Sequence, residues 1–140
     1  MKIETTLCDQ DASAAINAVR AELIKRGKLG TIAVTDAHGE LVALLRMSGT
    51  ALNSMTVATN KAFTAARLRR ASVELGRAVK HPETGYDVGY FGDNRYVGFA
   101  GGQPVMKDGH VVGAIGVSGL TQSEDDELAL LGVAARFGAN

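Results

Sequence analysis

Two cations and a pair of glycines could act together on a small anion. Lys61 lies one residue from Ala62 in a stripe of small side chains, Ala58, Ala62, Ala65 and Ala66. A lysine held against such a stripe is partly desolvated. Desolvation favours the neutral amine, so Lys61 could serve as a base or as a carboxylate anchor. Arg46 comes late in an otherwise apolar run, Leu41 to Met47. An arginine in a buried strand needs a carboxylate or a ligand anion, unless it snorkels to water from an edge. Backbone N–H groups at a turn through Gly101-Gly102 can hold an anion. Lys61 and Arg46 would then be the catalytic cations of an isomerase- or lyase-type enzyme acting on a small polar acid. A simply exposed Lys61 is the plainer alternative.

A second set has metal-ligand chemistry. His38 and His110 fall in or beside hairpin turns, where exposure is expected. His81 opens the longest irregular segment, His81 to Asn94, and is the best candidate axial or metal ligand. That segment also carries Tyr86 and Tyr90, which are alternative ligands or stacking surfaces, as is Tyr96 beyond it. Tyrosines also half-bury with a hydroxyl left in water. Long loops in compact domains tend to be functional or disordered, and the aromatic content here argues for an ordered one over a pocket or an interface. Glu124-Asp125-Asp126-Glu127 could be read as a carboxylate iron site, but acidic residues opening a helix need no metal to explain them. The single Cys8 excludes an internal disulfide and a cysteine metal cluster. No Walker loop, GxGxxG or HExxH motif is present.

These residues must be positioned by a mixed set of elements. Ala12, Ala15, Ile16, Val19 and Leu23 recur at three- and four-residue spacing, which predicts a helix from about Asp9 or Asp11 to Arg26, ended by Gly27. Thr31 to Thr35 reads as a half-buried strand and Leu41 to Met47 as an inner strand, joined by a turn over Asp36 to Gly39. A long helix runs from Asn53 or Ser54 to about Arg70, and a shorter one, capped by Ser72, to Val79. Arg95 to Phe99 is a possible third strand. Asp108-Gly109 between β-branched runs predicts a type I′ hairpin, with Lys107 facing His110, Met106 facing Val111 and Val105 facing Val112. Val111, Ile115 and Val117 would face the core. Val112, Ala114, Gly116 and Ser118 would make a small-residue face. A last helix starts near Ser123, with Leu128, Leu131, Ala134 and Ala135 on its buried side. Hairpins without βαβ alternation mean α+β, with an antiparallel sheet of about five strands flanked by helices.

At 140 residues the chain is of a size for one domain, residues 1–140, with 46% hydrophobic and 21% charged residues. Its formal net charge of zero argues against a nucleic-acid partner. No apolar run is long enough to span a membrane, and MKIETTLCDQD has no apolar leader core, so a cytoplasmic location is expected. The alanine stripe and the small-residue strand face cannot both be left to water. That predicts a homo-oligomer, with the loop Tyr86 to Phe91 near a subunit boundary.

The run GGQP, then DG, then VVGAIGVSG, then an acidic patch opening a last helix, resembles the GlcG/HbpS family, which is related to the C-terminal domain of PduO-type proteins. Asn60 to Ala65 is similar to that family's KAxTA helix motif, and Leu45-Arg46-Met47 with a following glycine to its second strand. The resemblance covers about Leu29 to Ala135. It implies a profilin-like fold, assembly into oligomers, and binding of haem or a related tetrapyrrole as an accessory protein. His81, Tyr86, Tyr90, Gly101 and Gly102 are then the candidate cofactor-binding residues. Family members that ligate haem from the first helix do so through a histidine, and this first helix has none. Met47-Ser48-Gly49-Thr50 also lacks the Asp usual before that glycine.

Overall fold

The computed structural model describes residues 1–138. Helix α1 (Asp9–Lys25) buries the expected stripe of Ala12, Ala15, Ile16, Val19 and Leu23. Asp11 holds its start by accepting from the Cys8 N–H. Gly27, at φ +67°, turns the chain out of the helix, as a position after a C-cap requires. Strands β1 (Thr31–Asp36) and β2 (Leu41–Arg46) follow, then helices α2 (Ser54–Leu68) and α3 (Ser72–Val79), a single 3₁₀ turn over Val88–Phe91, strands β3 (Gly102–Lys107) and β4 (His110–Ser118), and helix α4 (Gln122–Phe137). No helix among the described residues is long and apolar enough to cross a membrane.

The four strands form one antiparallel sheet in the order β2-β1-β4-β3. One face packs on α1 and α4 through Ile32, Val34, Val105, Ile115 and Val117 against Val19, Leu23, Leu128 and Val133. The other face packs mainly on α2, where Ala33 and Ala114 meet Ala58, Ala62, Ala65 and Ala66. The fold is thus α+β in three layers.

Several expectations need correction. Among the described residues the sheet has four strands, not about five. Arg95 to Phe99 is no strand, because its polar backbone groups are taken by helix side chains. The Val97 N–H donates to Thr64 Oγ1 and the Phe99 carbonyl accepts from Ser72 Oγ. Gly98 also lies so close to Gly76 that an added Cβ would be 2.5 Å from its Cα. Ser72 is therefore the first residue of α3 rather than its cap. Strand β2 is an edge strand, half-exposed along most of its length, not an inner one. The Asp108-Gly109 turn forms with both residues at positive φ. Lys107 pairs with His110 and Met106 with Val111, but a bulge then pairs Val105 with Gly113. The bulge turns Val112 into the core beside Leu7 and leaves Val111 half-exposed, the reverse of the expected faces. Last, the alanine stripe and the small strand face cover each other within one chain, so neither is left over as an interface.

Candidate functional site

Helix α2 lies almost in backbone contact with the hairpin. A Cβ at Gly116 would be 2.1 Å from the Ala58 carbonyl oxygen, and one at Gly102 would be 2.2 Å from that of Lys61. This approach carries Lys61 over the end of β4, where it is 2% exposed. Its Nζ donates to Asp125 Oδ2 at 2.8 Å and to the Val117 carbonyl at 2.9 Å. The Phe99 ring closes over it, 5.9 Å from Nζ to centroid. Asp125, in the first turn of α4, also accepts from the Leu120 N–H. Burial pushes the Asp125 carboxyl up, against the pull of Lys61 and of the Leu120 N–H.

Gly101 and Gly102 stand beside this pair. At φ +120°, Gly101 has room for no side chain, since a Cβ would be 2.9 Å from Lys61 Nζ. Its N–H donates to Asp126 Oδ1, and that of Gly102 to Ser72 Oγ. The structure therefore does bring Lys61, Gly101 and Gly102 together, but Lys61 and Gly101 hold Asp125 and Asp126 of the same chain, and Gly102 is taken by the Ser72 hydroxyl. Arg46 is not among them. It sits at the end of the edge strand, and its Nη1 donates to the Thr50 carbonyl, closing the turn into α2. As a carboxylate anchor Lys61 is already filled, and the cluster is a latch between α2, β4 and α4.

The acidic patch at the start of α4 is spent in the same way. Glu124 pairs with Lys28, Asp125 with Lys61, and Glu127 with Arg26, while Asp126 accepts from Gln103 Nε2. Among the described residues no group of His, Cys, Asp and Glu side chains gathers to hold a metal ion. The helix cap is Thr121, two residues ahead of the expected Ser123.

The long loop is the other cluster, and it is ordered by a ladder of rings. Tyr86 stacks on Phe91 at 5.7 Å, Phe91 meets Tyr96 edge-on at 4.9 Å, and Tyr96 packs on the buried Phe63 of α2 at 4.9 Å. Arg95 and Arg67 place their guanidinium groups 4.0 and 4.8 Å from the Phe63 ring centre. Asp93 and Glu40 pair with Arg95, and Glu40 also with Arg67. Hydrogen bonds from Arg95 hold the Asp93 carboxyl below its ordinary range. Sequence reasoning missed Phe63 and Arg95 as parts of this cluster. The alternation of Arg95 to Phe99 reads as strand, and the one large ring in the alanine-rich α2 is its visible signal.

The ladder ends at the surface. Tyr90, on the 3₁₀ turn, is 86% exposed, and Tyr86, Phe91 and Phe99 are also open to solvent. Beside it lies a shallow cleft of about 490 Å³ lined by Gly89, Gly92, Asp93 and Asn94. His81 is exposed at the start of the loop. Its Nδ1 accepts from the N–H groups of Glu83 and Thr84, at 3.2 Å each. A nitrogen that accepts carries no proton, so the ring proton is on Nε2. A ligating histidine instead donates from the nitrogen that does not bind the metal. In this turn His81 is thus a loop brace. Tyr90 and Tyr86 offer their hydroxyls and rings without such a constraint.

Residues 7–134 match the family model described as haem degrading protein HbpS-like. Protein GlcG of Escherichia coli strain K12 is 36% identical over 118 residues, 84% of this chain and 85% of that one. The Klebsiella pneumoniae protein ORFY superposes with a TM-score of 0.90 at 26% identity, covering 100% of this chain and 97% of that one. A structure described as the PduOC:heme complex superposes with a TM-score of 0.86 at 27% identity, over 94% of this chain and 95% of that one. A match over nearly the whole chain, with GlcG at 36% identity, leaves one assignment: this chain belongs to the HbpS-like family.

Proposed function

We propose that this protein binds haem or a related tetrapyrrole through the loop His81 to Phe99 and serves as an accessory or storage protein for it. One observation carries the reading. An aromatic ladder rooted on the buried Phe63 runs out to exposed Phe91 and Tyr86, with the exposed Tyr90 beside it on the same 3₁₀ turn as Phe91, next to an open cleft. Exposed rings on a rigid base suit a planar apolar ligand, since stacking adds to the area buried. The donor set fits iron, because a tyrosine hydroxyl is one of the side-chain ligands that haem accepts. The similarity to a haem complex of PduOC supports the same reading.

Within it, Tyr90 is the candidate ligand and Tyr86 with Phe91 the stacking surface. Bound haem would supply the iron and an extended π-face. The chain's part is to hold that face against the loop and to keep water from one side of it. Lys61 and Arg46 have no place at this site, as both are engaged within the chain. Titration of the protein with haem, followed in the Soret region, tests the proposal. A saturable band at micromolar protein is expected, and a spectrum equal to that of free haem would refute it.

A further inference from the structure

A second cavity, of about 400 Å³, shares no lining residue with the loop cleft. Three pieces of chain enclose it. The arm Thr5 to Leu7 forms one wall, Val105 to Lys107 with Val112 a second, and Asp11 of α1 with Arg136 and Phe137 of α4 the third. The arm is fixed to the end of the sheet. The Leu7 N–H donates to the Val112 carbonyl at 2.9 Å, and Thr6 Oγ1 accepts from the Ala37 N–H at 2.9 Å. The bulge after Val105 supplies the floor, because it turns Val112 inward beside Leu7. Bulges gather at sheet edges and beside functional sites, where they re-aim a side chain.

The floor is apolar and the rim is charged. Leu7, Val105 and Val112 are buried, and Phe137 packs against the same cluster. On the rim, Arg136 Nη2 donates to Asp11 Oδ1, and the guanidinium stands 5.5 Å from the Phe137 ring centre. The other Asp11 oxygen accepts from the N–H and the thiol of Cys8. Asp11 is thus satisfied within the chain, while Arg136 is held in place and keeps N–H groups that Asp11 does not take. Lys107 is exposed at the rim, and its charge adds to the pull on Asp11. Among the described residues its ammonium forms no close ion pair. Two cations therefore meet one carboxylate in the lining, which leaves one positive charge in excess.

We propose that this cavity binds an amphipathic monocarboxylate. Its apolar body lies on Leu7, Val105, Val112 and Phe137, and its carboxylate lies between Lys107 and Arg136. Small-molecule sites are clefts of about 300–1,000 Å³ with an apolar lining and a few convergent polar groups, and this cavity has both features. One negative charge matches the one surplus cation. A dicarboxylate would set its second charge against Asp11 or the apolar floor, and an uncharged ligand would leave Lys107 unanswered.

Octanoate is the probe, followed by calorimetry and by NMR of the methyl groups. One octanoate per chain should bind with a Kd below about 1 mM. The shifts should centre on Leu7, Val105 and Val112. Acetate, which lacks the tail, and octanol, which lacks the charge, should each bind at least tenfold more weakly. Lys107→Glu reverses an exposed charge and should weaken octanoate binding at least tenfold. Lys80→Glu makes the same change in net charge at an exposed position outside the lining, and should leave the affinity as it is. A titration that does not saturate overturns the proposal, as do shifts centred on Tyr86 to Phe91. So does a Lys107→Glu protein that binds octanoate as tightly as the parent, or a parent that binds octanol as tightly as octanoate.

Discussion

Lys61 Nζ lies 2.8 Å from Asp125 Oδ2, and the two side chains are 2% and 3% exposed. A pair this deep is held by geometry as much as by charge. Val117 supplies a second acceptor to the ammonium, and Leu120 a donor to the carboxylate. Removing one partner strands the other without water. Lys61→Met is therefore expected to cost about 3–5 kcal/mol in urea unfolding, a large share of a domain's total. Lys61→Met combined with Asp125→Leu should recover most of that loss, because no buried charge remains. A single variant as stable as the parent would show that water reaches Asp125.

The seam between α2 and β4 predicts a sharp asymmetry among glycines. Gly116→Ala drives a methyl group into the backbone of α2 at Ala58 and Ala62, neither of which can turn aside. The cost should be at least about 2 kcal/mol, as for other overpacked cores. Gly109→Ala meets nothing within 4 Å and pays only for its φ of +78°, about 1 kcal/mol. Ala62→Glu, which puts a charge into the same seam, should leave no folded protein. Thermal unfolding of the three side by side checks the order.

The same seam explains what could be read from the chain and what could not. Helix α1 was legible because Ala12, Ile16, Val19 and Leu23 repeat with the helical period, and the hairpin because Asp108-Gly109 demands positive φ at both residues. The alanines of α2 gave the right stripe but the wrong partner. Small residues signal a close approach without saying to what, and here Gly116 and Gly102 answer from within the chain. Arg95 to Phe99 has the alternation of a strand, yet Thr64 and Ser72 capture its backbone from residues some thirty positions away. Lys61 beside Asp125 is a contact across 64 residues, and no local pattern announces it. For the loop, residue types pointed to His81 and the tyrosines, while the choice between them rests on two N–H groups that only the folded turn aims at Nδ1.

Acid should destabilise the fold through particular carboxylates. Asp11 is held below its ordinary value of 3.8 by the N–H and thiol of Cys8, with Arg136 adding to the pull. Glu124 is held below 4.5 by Lys28 and by Thr121. A carboxyl whose folded value is depressed stabilises the fold above its unfolded value, and that stability is lost as pH falls through the folded one. Asp125 has the opposite sign. Its folded value is raised by burial, so the native state holds the proton more tightly and acid does not unfold the protein through it. Midpoints of urea unfolding should thus fall as pH drops below about 4.5. Asp11→Asn and Glu124→Gln should each flatten that fall, and Asp125→Asn, which removes a group of the opposite sign, should steepen it while lowering stability at every pH. An unchanged slope in Asp11→Asn together with Glu124→Gln would remove these two groups from the account.

Haem titration of variants can separate the ligand from the brace. Tyr90 is almost free of the protein and touches none of the rings in the ladder, so its removal leaves the loop intact. Tyr90→Phe keeps a stacking ring and loses the hydroxyl. It should shift the position of the Soret band while weakening binding less than Tyr90→Ala, which loses both. His81→Ala removes the acceptor of the Glu83 and Thr84 N–H groups and loosens the turn, yet takes no ligand from the iron. It should leave the band position unchanged and lower affinity by about tenfold or less, the effect of a hydrogen bond or two to a surface turn. Phe91→Ala cuts the ladder between Tyr86 and Tyr96, and affinity should fall more than in His81→Ala with the band again in place. A band that moves with His81→Ala and stays with Tyr90→Phe would reverse the assignment. The turn would then have to open on binding, releasing Nδ1 to carry the proton and freeing Nε2 for the iron.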